Sequence, residues 1–416
     1  MFKIAVMGCG VVGSGVVDIL LEKGEELSRR FRDEVALGRI LDIRDFTGTP
    51  YEPYATKDAE EIFADPDIKL VVMTIGGLDM AYKLSLRALE SGRHVVTSNK
   101  EVVAAYGREL TRAAFDHGVQ FLYEASAGGG IPVIRPMNIC LSSNDIYEIQ
   151  GILNGTTNYI LTRMKDDGMS FEDALQVAQK KGFAEANPTA DVDGHDACRK
   201  IAILSSIAYG AFVDYEKVPC KGIRDVKYED LVMADKAGFT VKLIGSSKNT
   251  KQGVVISVEP LLLEKSHMLA GVSSVFNGVL VKGSYTGDVM FYGKGAGKLP
   301  TASAVLGDII EILCGTVQKV LPGFVEKDAQ VIQDTEGMSR YFLRIQLRGE
   351  VDGTEVRHVA SPIFGSESKI VLPSNENPSY MAVVTGYLSS KALESKIAEF
   401  ENTVSVKCEN IIRVED

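Results

Sequence analysis

The chain lacks an excess of basic residues. Its 416 residues include 45 Lys and Arg against 56 Asp and Glu, which gives a formal net charge of -11 at pH 7. This charge argues against nucleic acid or an anionic membrane as a partner, because both attract clustered positive charge. The six cysteines show neither metal-ligand spacing nor a disulfide framework. Their scatter predicts buried thiols in a reducing compartment and gives no indication of a zinc site.

Long apolar runs are also absent. The first strand pattern leads directly into a glycine turn, so the N-terminus shows no apolar signal core, and no later run is long enough to cross a bilayer. We therefore expect a cytoplasmic protein. With 45% hydrophobic residues the chain can bury large cores, and its length predicts two or three domains.

A glycine-rich turn follows the first strand. In FKIAVMGCGVVGSGVV, Gly8, Gly10 and Gly13 have the G-x-G-x-x-G spacing between a strand pattern and a helix pattern. Gly8 allows the tight turn, Gly10 lets a pyrophosphate approach, and Gly13 lets the helix pack closely. The turn, with its Val11 and Val12, is therefore predicted to bind a dinucleotide. A glycine turn in some other α/β protein is the alternative interpretation.

Strand and helix patterns alternate through about the first 135 residues, which predicts a doubly wound parallel sheet. The second strand is predicted to be GRILDIRDF, with its end near the adenine ribose. An acidic residue there prefers the free 2′-hydroxyl of NAD, whereas an arginine prefers the 2′-phosphate of NADP. The chain offers both Arg44 and Asp45, and we favour NADP through Arg44.

Three later segments are candidates for ligand contact. RHVVTSNK places Lys100 beyond the carboxyl end of a strand, where ligands bind in open α/β sheets, although a solvated lysine would fit the same position. The glycine run in YEASAGGGIP allows close approach of a ligand or exposes carbonyl groups, unless it is a flexible connection. GKGAGKLP places Gly297 just before a helix with Pro300 in its first turn, so this loop is either a return to the nucleotide or a structural turn.

An acidic segment precedes an apolar helix. GFAEANPTADVDGHDACRK gathers Glu185, Asp191, Asp196 and Lys200, and the following IAILSSIAYGAF is apolar around most of its circumference, so that helix is predicted to be buried. Asp196 and Lys200 are four residues apart on one helix face. Because acidic neighbours favour a charged lysine and burial disfavours it, Lys200 is either a structural ion-pair partner or an acid/base group.

Two segments carry helix start and end signals. ILNGTTNYIL places Asn154 at a strand-to-helix junction, where capping is its favoured role, and SFEDALQVAQKKG reads as a helix capped by Ser170 and ended by Gly182. Near the C-terminus, RYFLRIQL, MAVVTGYL and NIIRV read as strands and SKALESKIAEF as a helix. The segment between RYFLRIQL and MAVVTGYL shows no clear helix.

These motifs resemble one family. GCGVVGSG, VVTSNKEVV, YEASAGGGIPVI, ILNGTTNYIL, GFAEANPTADVDGHDACRK and GAGKLPTASAVLGDIIEIL, in this order over about the first 320 residues, resemble homoserine dehydrogenase. The resemblance implies interconversion of L-homoserine and L-aspartate 4-semialdehyde with NADP or NAD, a step toward threonine, methionine and isoleucine. No kinase domain precedes the motifs, so the monofunctional form is expected.

The resemblance also implies residue roles. Lys200 resembles the catalytic acid/base, and Lys100 the lysine that bridges cofactor and substrate. Glu185 resembles the ligand of the substrate amino group, whereas Asp191 and Asp196 resemble the carboxylates that hold substrate and lysine. The carbonyl groups of a monovalent cation site, usually for sodium, are implied at Glu124, Ala127, Gly129 and Ile131. The chain departs from the family pattern at Met73, Thr74, Asn187 and His195.

The expected fold is α/β, with a Rossmann-type doubly wound sheet over 1–135 and an α+β catalytic and dimerisation domain over 136–325, whose helix 301–314 returns to the Rossmann domain. A small ferredoxin-like segment over 330–416 resembles a reduced ACT-type domain, serving threonine regulation or dimerisation. The resemblance implies a homodimer or a dimer of dimers. Two alternatives stay open: an oxidoreductase for another small amino or hydroxy acid, and a catalytically silent dinucleotide sensor.

Overall fold

The computed structural model describes residues 1–315, 321–333, 337–348, 353–373 and 379–415. The strands in chain order are β1 Phe2–Met7, β2 Val35–Leu41, β3 Ala55–Thr56, β4 Ile68–Met73, β5 His94–Thr97, β6 Phe121–Leu122, β7 Ile146–Ile152, β8 Phe239–Asn249, β9 Val254–Glu264, β10 Phe276–Gly283, β11 Gly287–Lys294, β12 Val331–Ile332, β13 Tyr341–Leu347, β14 Lys369–Val371, β15 Tyr380–Val384 and β16 Val406–Glu415.

The α-helices in chain order are α1 Val11–Phe31, α2 Glu60–Ala64, α3 Asp79–Glu90, α4 Lys100–Asp116, α5 Ile134–Asn138, α6 Gly155–Asp167, α7 Phe171–Lys180, α8 Thr189–Val192, α9 His195–Tyr209, α10 Tyr228–Lys236, α11 Lys298–Leu313, α12 Gly323–Glu326, α13 Gly353–Phe364 and α14 Ser390–Thr403. Within the described residues, no helix combines the length and apolarity needed to span a membrane.

The chain forms two compact units, each assembled from separate stretches of sequence. The stretches of unit 1 are Met1–Ile149, Arg199–Val218 and Val281–Gln330, and those of unit 2 are Gln150–Cys198, Pro219–Leu280 and Val331–Asp416. Helix α9 begins in unit 2 and continues in unit 1. Residues 201–206, which follow Lys200, are buried, as the apolar pattern predicts, whereas the last three residues of the helix are partly exposed.

Unit 1 contains a parallel six-stranded sheet with the order β3-β2-β1-β4-β5-β6. The predicted doubly wound sheet is confirmed. Strand β1 lies between β2 and β4, with Val6 opposite Ile40 on one side and Val72 on the other. The chain therefore leaves β1 in one direction and resumes on its other side at β4, which places a topological switch point at the carboxyl end of β1.

Helix α11 packs against α1 within unit 1. Ala302, Val305 and Ile309 of α11 share a buried cluster with Val16 and Val17 of α1. The approach is close at Gly15, where a Cβ atom would lie 2.9 Å from the carbonyl oxygen of Lys298. A glycine at this point therefore lets the start of α11 lie against the nucleotide-binding helix.

Unit 2 is built on a mixed sheet. Strands β8 and β9 form a long antiparallel pair, from Phe239 opposite Glu264 to Asn249 opposite Val254. Strand β16 runs parallel to β9 and antiparallel to β13, and β15 lies between β13 and β14. In β16, Val414 lies opposite Leu262, so the last strand completes the buried face of this sheet.

The C-terminal part of unit 2 has the order β13-α13-β14-β15-α14-β16 along the chain and the order β16-β13-β15-β14 in the sheet. This is the ferredoxin-like split β-α-β topology. The expectation that no clear helix follows the first of these strands was wrong, because α13 occupies Gly353–Phe364. Its Val356, Ala360 and Phe364 pack against Phe400 of α14 in one apolar core.

Candidate active site

The glycine turn at the end of β1 has the geometry that its spacing predicts. Gly8 has a φ of 94°, which is in the left-handed region, and a Cβ atom there would lie 2.6 Å from the main-chain nitrogen of Ile75. A Cβ at Gly13 would lie 1.9 Å from the carbonyl oxygen of Gly8, whereas one at Gly10 would meet no atom within 4 Å. The turn is therefore closed on the protein side and open where a pyrophosphate would lie.

Thr74 holds the glycine turn against the end of β4. Its Oγ1 donates a hydrogen bond to the carbonyl oxygen of Gly8 at 2.5 Å, and its main-chain nitrogen donates to Met7 at 2.8 Å. The chain departs from the family pattern at Met73 and Thr74, but this departure leaves the contacts of Gly8 and Gly13 in the turn intact. Met73 is buried in the sheet, and Thr74 supports the turn.

A cavity of about 590 Å³ lies beside this turn in unit 1, lined among others by Gly8, Gly10, Asp42, Arg44 and Lys57. Its volume and its glycine lining suit a dinucleotide, which binds at the switch point of such a sheet.

The second strand ends earlier than the sequence predicted. Strand β2 stops at Leu41, so Arg44 and Asp45 follow the strand instead of lying within it. The residue immediately after the strand is Asp42, whose Oδ2 accepts a hydrogen bond from the main-chain nitrogen of Cys9 at 2.6 Å. Because a hydrogen bond from the glycine turn fixes Asp42, the chain leaves the strand direction there. Asp45 instead accepts bonds from Thr47 in its own turn.

Asp42 and Arg44 form a bidentate ion pair at the cavity. Arg44 Nε lies 2.9 Å from Asp42 Oδ1, and Nη2 lies 2.8 Å from Oδ2. The Arg44 guanidinium, together with the main-chain donors, holds the pKa of Asp42 well below its usual range despite partial burial. Both a carboxylate and a guanidinium are therefore available at the end of β2.

Lys100 begins α4 at the carboxyl end of β5. Asn99 caps this helix, since its Oδ1 accepts hydrogen bonds from the main chain of Glu101 at 3.0 Å and of Val102 at 3.2 Å. The amide nitrogen of Asn99 donates to Ile75 at 3.0 Å and to Gly77 at 2.7 Å. Asn99 thus fixes the start of the Lys100 helix to the loop that follows β4.

The acidic segment of unit 2 is organised around Asn154. The amide nitrogen of Asn154 donates to Asp191 Oδ1 at 2.7 Å and to Asp196 Oδ2 at 2.9 Å. Asn154 also caps α6, because its Oδ1 accepts from the main chain of Thr157 at 2.9 Å. The capping role expected for Asn154 is confirmed, and its bond to both carboxylates was not predicted.

The residues proposed for chemistry differ in exposure. Asp196 is 3% exposed and Lys200 is 8% exposed, both on α9, whereas Glu185 is exposed before α8. His195 is exposed at the first position of α9. A buried carboxylate followed one turn later by a buried lysine is an arrangement that can exchange a proton with a bound ligand.

The loop implied for a cation lies in unit 1. Glu124 is buried, and its carboxylate accepts main-chain hydrogen bonds from Val133, Ile134 and Arg135 at 2.6 to 2.7 Å. Gly129 has a φ of 59° and lies against Gly295, where a Cβ would come within 2.0 Å of the carbonyl oxygen.

The carbonyl oxygens of this loop fit a hard cation. Those of Glu124, Ala127, Gly129 and Ile131 accept none of the main-chain hydrogen bonds that the described residues form outside helices and strands. Oxygen donors of this kind suit a hard cation such as sodium. Among the described residues, no group of three His, Cys, Asp or Glu side chains forms a metal site.

Gly297 caps α11 with a φ of 120°. At this helix start, Lys298 Nζ lies 2.7 Å from Asp18 Oδ2 of α1, the helix that follows the glycine turn. The start of α11 is therefore fixed to the nucleotide-binding helix of unit 1.

Asp42, Lys57 and Asn154 were missed from the sequence as functional candidates. Asp42 could have been found from its position directly after the apolar run of β2, which is where an acidic ribose ligand is expected. The bridging role of Asn154 had no sequence signal, because it depends on the approach of two segments 37 and 42 residues away.

Comparison with known proteins gives concordant matches. Residues 8–124 match the model described as homoserine dehydrogenase, NAD binding domain, and residues 132–310 match the homoserine dehydrogenase model. A homoserine dehydrogenase from Synechocystis is 48% identical over 317 residues, covering 75% of this chain and 73% of that protein.

Solved structures agree with these sequence matches. A homoserine dehydrogenase from Thiobacillus denitrificans superimposes with a TM-score of 0.86 at 33% identity, covering 100% of this chain and 98% of that one. A hyperthermophilic archaeal homoserine dehydrogenase in complex with NADPH gives a TM-score of 0.64 at 29% identity, covering 76% of this chain and 99% of that one.

Proposed function

Because the chain belongs to the homoserine dehydrogenase family, it is an oxidoreductase with an NAD-binding domain, and we propose that it interconverts L-homoserine and L-aspartate 4-semialdehyde. The reaction is a step toward threonine, methionine and isoleucine. The single observation that supports the chemistry best is the acidic pair held by Asn154, with the buried Lys200 one turn beyond Asp196 on α9.

Lys200 is the proposed acid/base. When bound, the nicotinamide dinucleotide supplies the acceptor or donor of a hydride. In the oxidative direction the amine of Lys200 takes the hydroxyl proton of homoserine, and in the reductive direction its ammonium returns a proton to the aldehyde oxygen. Asp196 orients Lys200, Asp191 and Glu185 bind the polar end of the substrate, and Lys100 binds cofactor and substrate.

We propose NADP as the preferred cofactor and NAD as an alternative. Gly8, Gly10, Val11, Val12 and Gly13 form the pyrophosphate turn, with Gly297 at the neighbouring helix start. Arg44 and Lys57 give the ribose end of the cavity two positive charges against the one negative charge of Asp42, which favours a 2′-phosphate.

The cofactor proposal has a direct test. Arg44→Gln is expected to raise the KM for NADP about tenfold or more, the size of a lost charge-assisted hydrogen bond, while changing the KM for NAD little. Arg39→Gln, on the strand β2 that precedes Arg44, is the control and should leave both constants near those of the parent. Equal changes for NADP and NAD would contradict the preference.

We also propose that sodium binds the carbonyl groups of Glu124, Ala127, Gly129 and Ile131. Replacing sodium by tetramethylammonium at constant ionic strength should lower activity. Unchanged activity would contradict a required cation.

The remaining proposals concern organisation. We propose domains at 1–135, 136–325 with helix 301–314 returning to the first, and 330–416 as an ACT-like segment. A homodimer or dimer of dimers in the cytoplasm fits the family.

The central experiment follows nicotinamide absorbance with L-homoserine and either cofactor. Lys200→Met should lose nearly all activity while still binding the cofactor, because the apolar side chain cannot exchange a proton. Lys180→Met, at the exposed end of α7, is the matched control and should behave as the parent. If the parent binds cofactor but reduces neither NADP nor NAD, another small amino or hydroxy acid becomes the substrate to test, and a silent sensor becomes the second explanation.

A further inference from the structure

Two cysteines of unit 2 lie in contact at the start of α9. Cys198 is 4% exposed in the first turn of this helix, and Cys220 is exposed in the segment that precedes α10. The two side chains are hydrogen-bonded to each other as free thiols. Neither has a role in the proposed chemistry, yet Cys198 stands midway between Asp196 and Lys200.

The surroundings of Cys220 hold its sulfur at this place. Its Sγ donates to the carbonyl oxygen of Asp193 at 3.1 Å. The segment is fixed to β9, since Lys221 donates its main-chain N–H to Val258 at 2.7 Å and Val258 donates to Pro219 at 2.9 Å.

Gly194 provides the space that the sulfur occupies. A Cβ atom at Gly194 would lie 2.9 Å from the Cys220 sulfur, and the carbonyl oxygen of Gly194 accepts the main-chain bond of Cys198 at 2.9 Å. The main chain on each side is therefore held by hydrogen bonds, and this keeps the two thiols in contact.

Cys220 differs from Cys198 in exposure, and its pKa is shifted in the direction opposite to that of two other cysteines. The hydrogen bond from Cys198 lowers the pKa of Cys220 below its ordinary value, although burial and Asp193 oppose the shift. By contrast, burial raises the pKa of Cys9 to about 11 and that of Cys408 to about 12. Thiolate is the nucleophile in disulfide exchange, so the exposed Cys220 is the favoured attacking group, and the buried Cys198 is placed to resolve the product.

We propose that Cys198 and Cys220 form a reversible disulfide that regulates the enzyme, with a small-molecule or protein disulfide as oxidant. The Cys220 thiolate attacks one sulfur of the oxidant and releases a first thiolate. The Cys198 thiol, after losing its proton to solvent, then attacks the Cys220 sulfur and releases the second thiolate. Two protein thiols are oxidised, and one external disulfide is reduced to two thiols.

The disulfide changes the helix that carries the proposed acid/base. A sulfur–sulfur bond is about 2.05 Å long, so the two sulfurs must approach by roughly 1 Å or more from hydrogen-bond contact. Because Cys198 is on the turn between Asp196 and Lys200, this shift displaces groups whose position sets the rate, and a displacement of about 1 Å can cost about a hundredfold in rate. This consequence rests on the proposed function, whereas the disulfide itself does not.

The test uses the full chain treated with excess glutathione disulfide. Peptide mapping without reductant should show a Cys198–Cys220 cross-linked peptide, and kcat should fall about tenfold or more and recover with dithiothreitol. Cys220→Ala and Cys198→Ala should prevent both changes, whereas Cys314→Ala, which removes another exposed thiol, should respond as the parent does.

Each contrary result has one meaning. Stable glutathione on Cys220 without a cross-link would overturn the disulfide. A cross-link with unchanged kcat would overturn its regulatory role. If the reduced parent has no homoserine activity but the cross-link forms, the proposed function fails and the disulfide stands.

Discussion

At the residue scale, Asn154 shows how one side chain can serve both the fold and the proposed site. Its carbonyl oxygen caps α6 while its amide nitrogen holds Asp191 and Asp196. The sequence predicted the capping because Asn is a common helix cap after a strand. It could not predict the bridge, because Asp191 and Asp196 approach Asn154 only in the folded chain.

Asn154→Asp tests this bridge. Aspartate keeps the shape and the capping oxygen, but it removes the donor and places a third carboxylate beside two others. We expect kcat to fall about tenfold and the acid limb of the pH–rate profile to move to higher pH, because like charges favour protonation. Asn187→Asp adds the same charge in the exposed part of the segment and serves as the control. A profile that superimposes on the parent would rule the bridge out as a positioning device.

Lys242 provides a pH prediction that is independent of catalysis. It is 6% exposed in β8, and its Nζ donates to Val272 at 2.5 Å and to Asn158 at 3.2 Å. Burial, with a smaller contribution from Lys165, lowers its pKa from 10.5 to about 8. Between pH 8 and 10.5 the unfolded chain therefore binds more protons at this group than the folded chain does.

The free energy of unfolding should rise with pH across that window, by up to about 3 kcal/mol from this group, because the folded chain no longer buries a charge. Urea unfolding of the parent and of Lys242→Met at pH 7.5 and 10, at one protein concentration, isolates the effect. The free energy of unfolding of the parent, relative to that of Lys242→Met, should be higher at pH 10 than at pH 7.5. A difference that stays constant would show that Lys242 does not titrate in this range.

At the element scale, a buried ion pair joins β13 to α10. Arg344 Nε lies 3.2 Å from Asp230 Oδ1, and Asn410 of β16 donates to Asp230 Oδ2 at 2.9 Å. Burial raises the pKa of Asp230, and the charge of Arg344 opposes that shift. The pair ties the ferredoxin-like segment to the rest of unit 2.

Asp230→Ala should therefore destabilise the protein by about 3–5 kcal/mol, since it leaves the Arg344 charge buried and uncompensated. Adding Arg344→Met should restore part of that loss. Denaturant unfolding of the two single variants and the double variant gives the coupling free energy between Asp230 and Arg344. Additive losses would show that the two groups do not depend on each other.

Elements with a clear hydrophobic periodicity or a clear helix cap were predicted well. Elements whose bounds depend on contacts with distant residues were not. The alternating strand of β13 and the capped helix α7 follow from local pattern. Strand β2 ended early because Asp42 turns to accept a bond from Cys9, and α13 was missed because the apolar face of its Val356 and Ala360 is recognisable only against α14.

At the scale of the whole molecule, distant segments complete each unit. The sequence predicted three consecutive domains, with helix 301–314 alone returning to the first, because composition and pattern are mostly local properties. In the structure, α11 joins the core of unit 1 and β16 joins the sheet of unit 2 from far along the chain. The place of β16 was not predicted, because it depends on tertiary packing, which a single sequence does not display.

Removal of residues 331–416 should therefore weaken unit 2. The truncation exposes the edge of β9 and takes away Glu415, whose Oε1 accepts a bond from Gln150 at 2.7 Å. We expect a fall in Tm of several degrees and self-association detectable by light scattering, because an open strand edge pairs with other chains. A monodisperse truncated chain with the parent's Tm would show that β9 does not need β16.

The place of β16 in its sheet also bears on synthesis at the ribosome. This strand lies between β9 and β13, yet it is made after both. While the chain is still growing, β9 and β13 have emerged with their shared partner missing, and their edges depend on chaperones or on slow pairing for protection. Translation speed over the last helix, α14, and the strand that follows it should therefore affect the yield of folded enzyme more than translation speed over the first hundred residues.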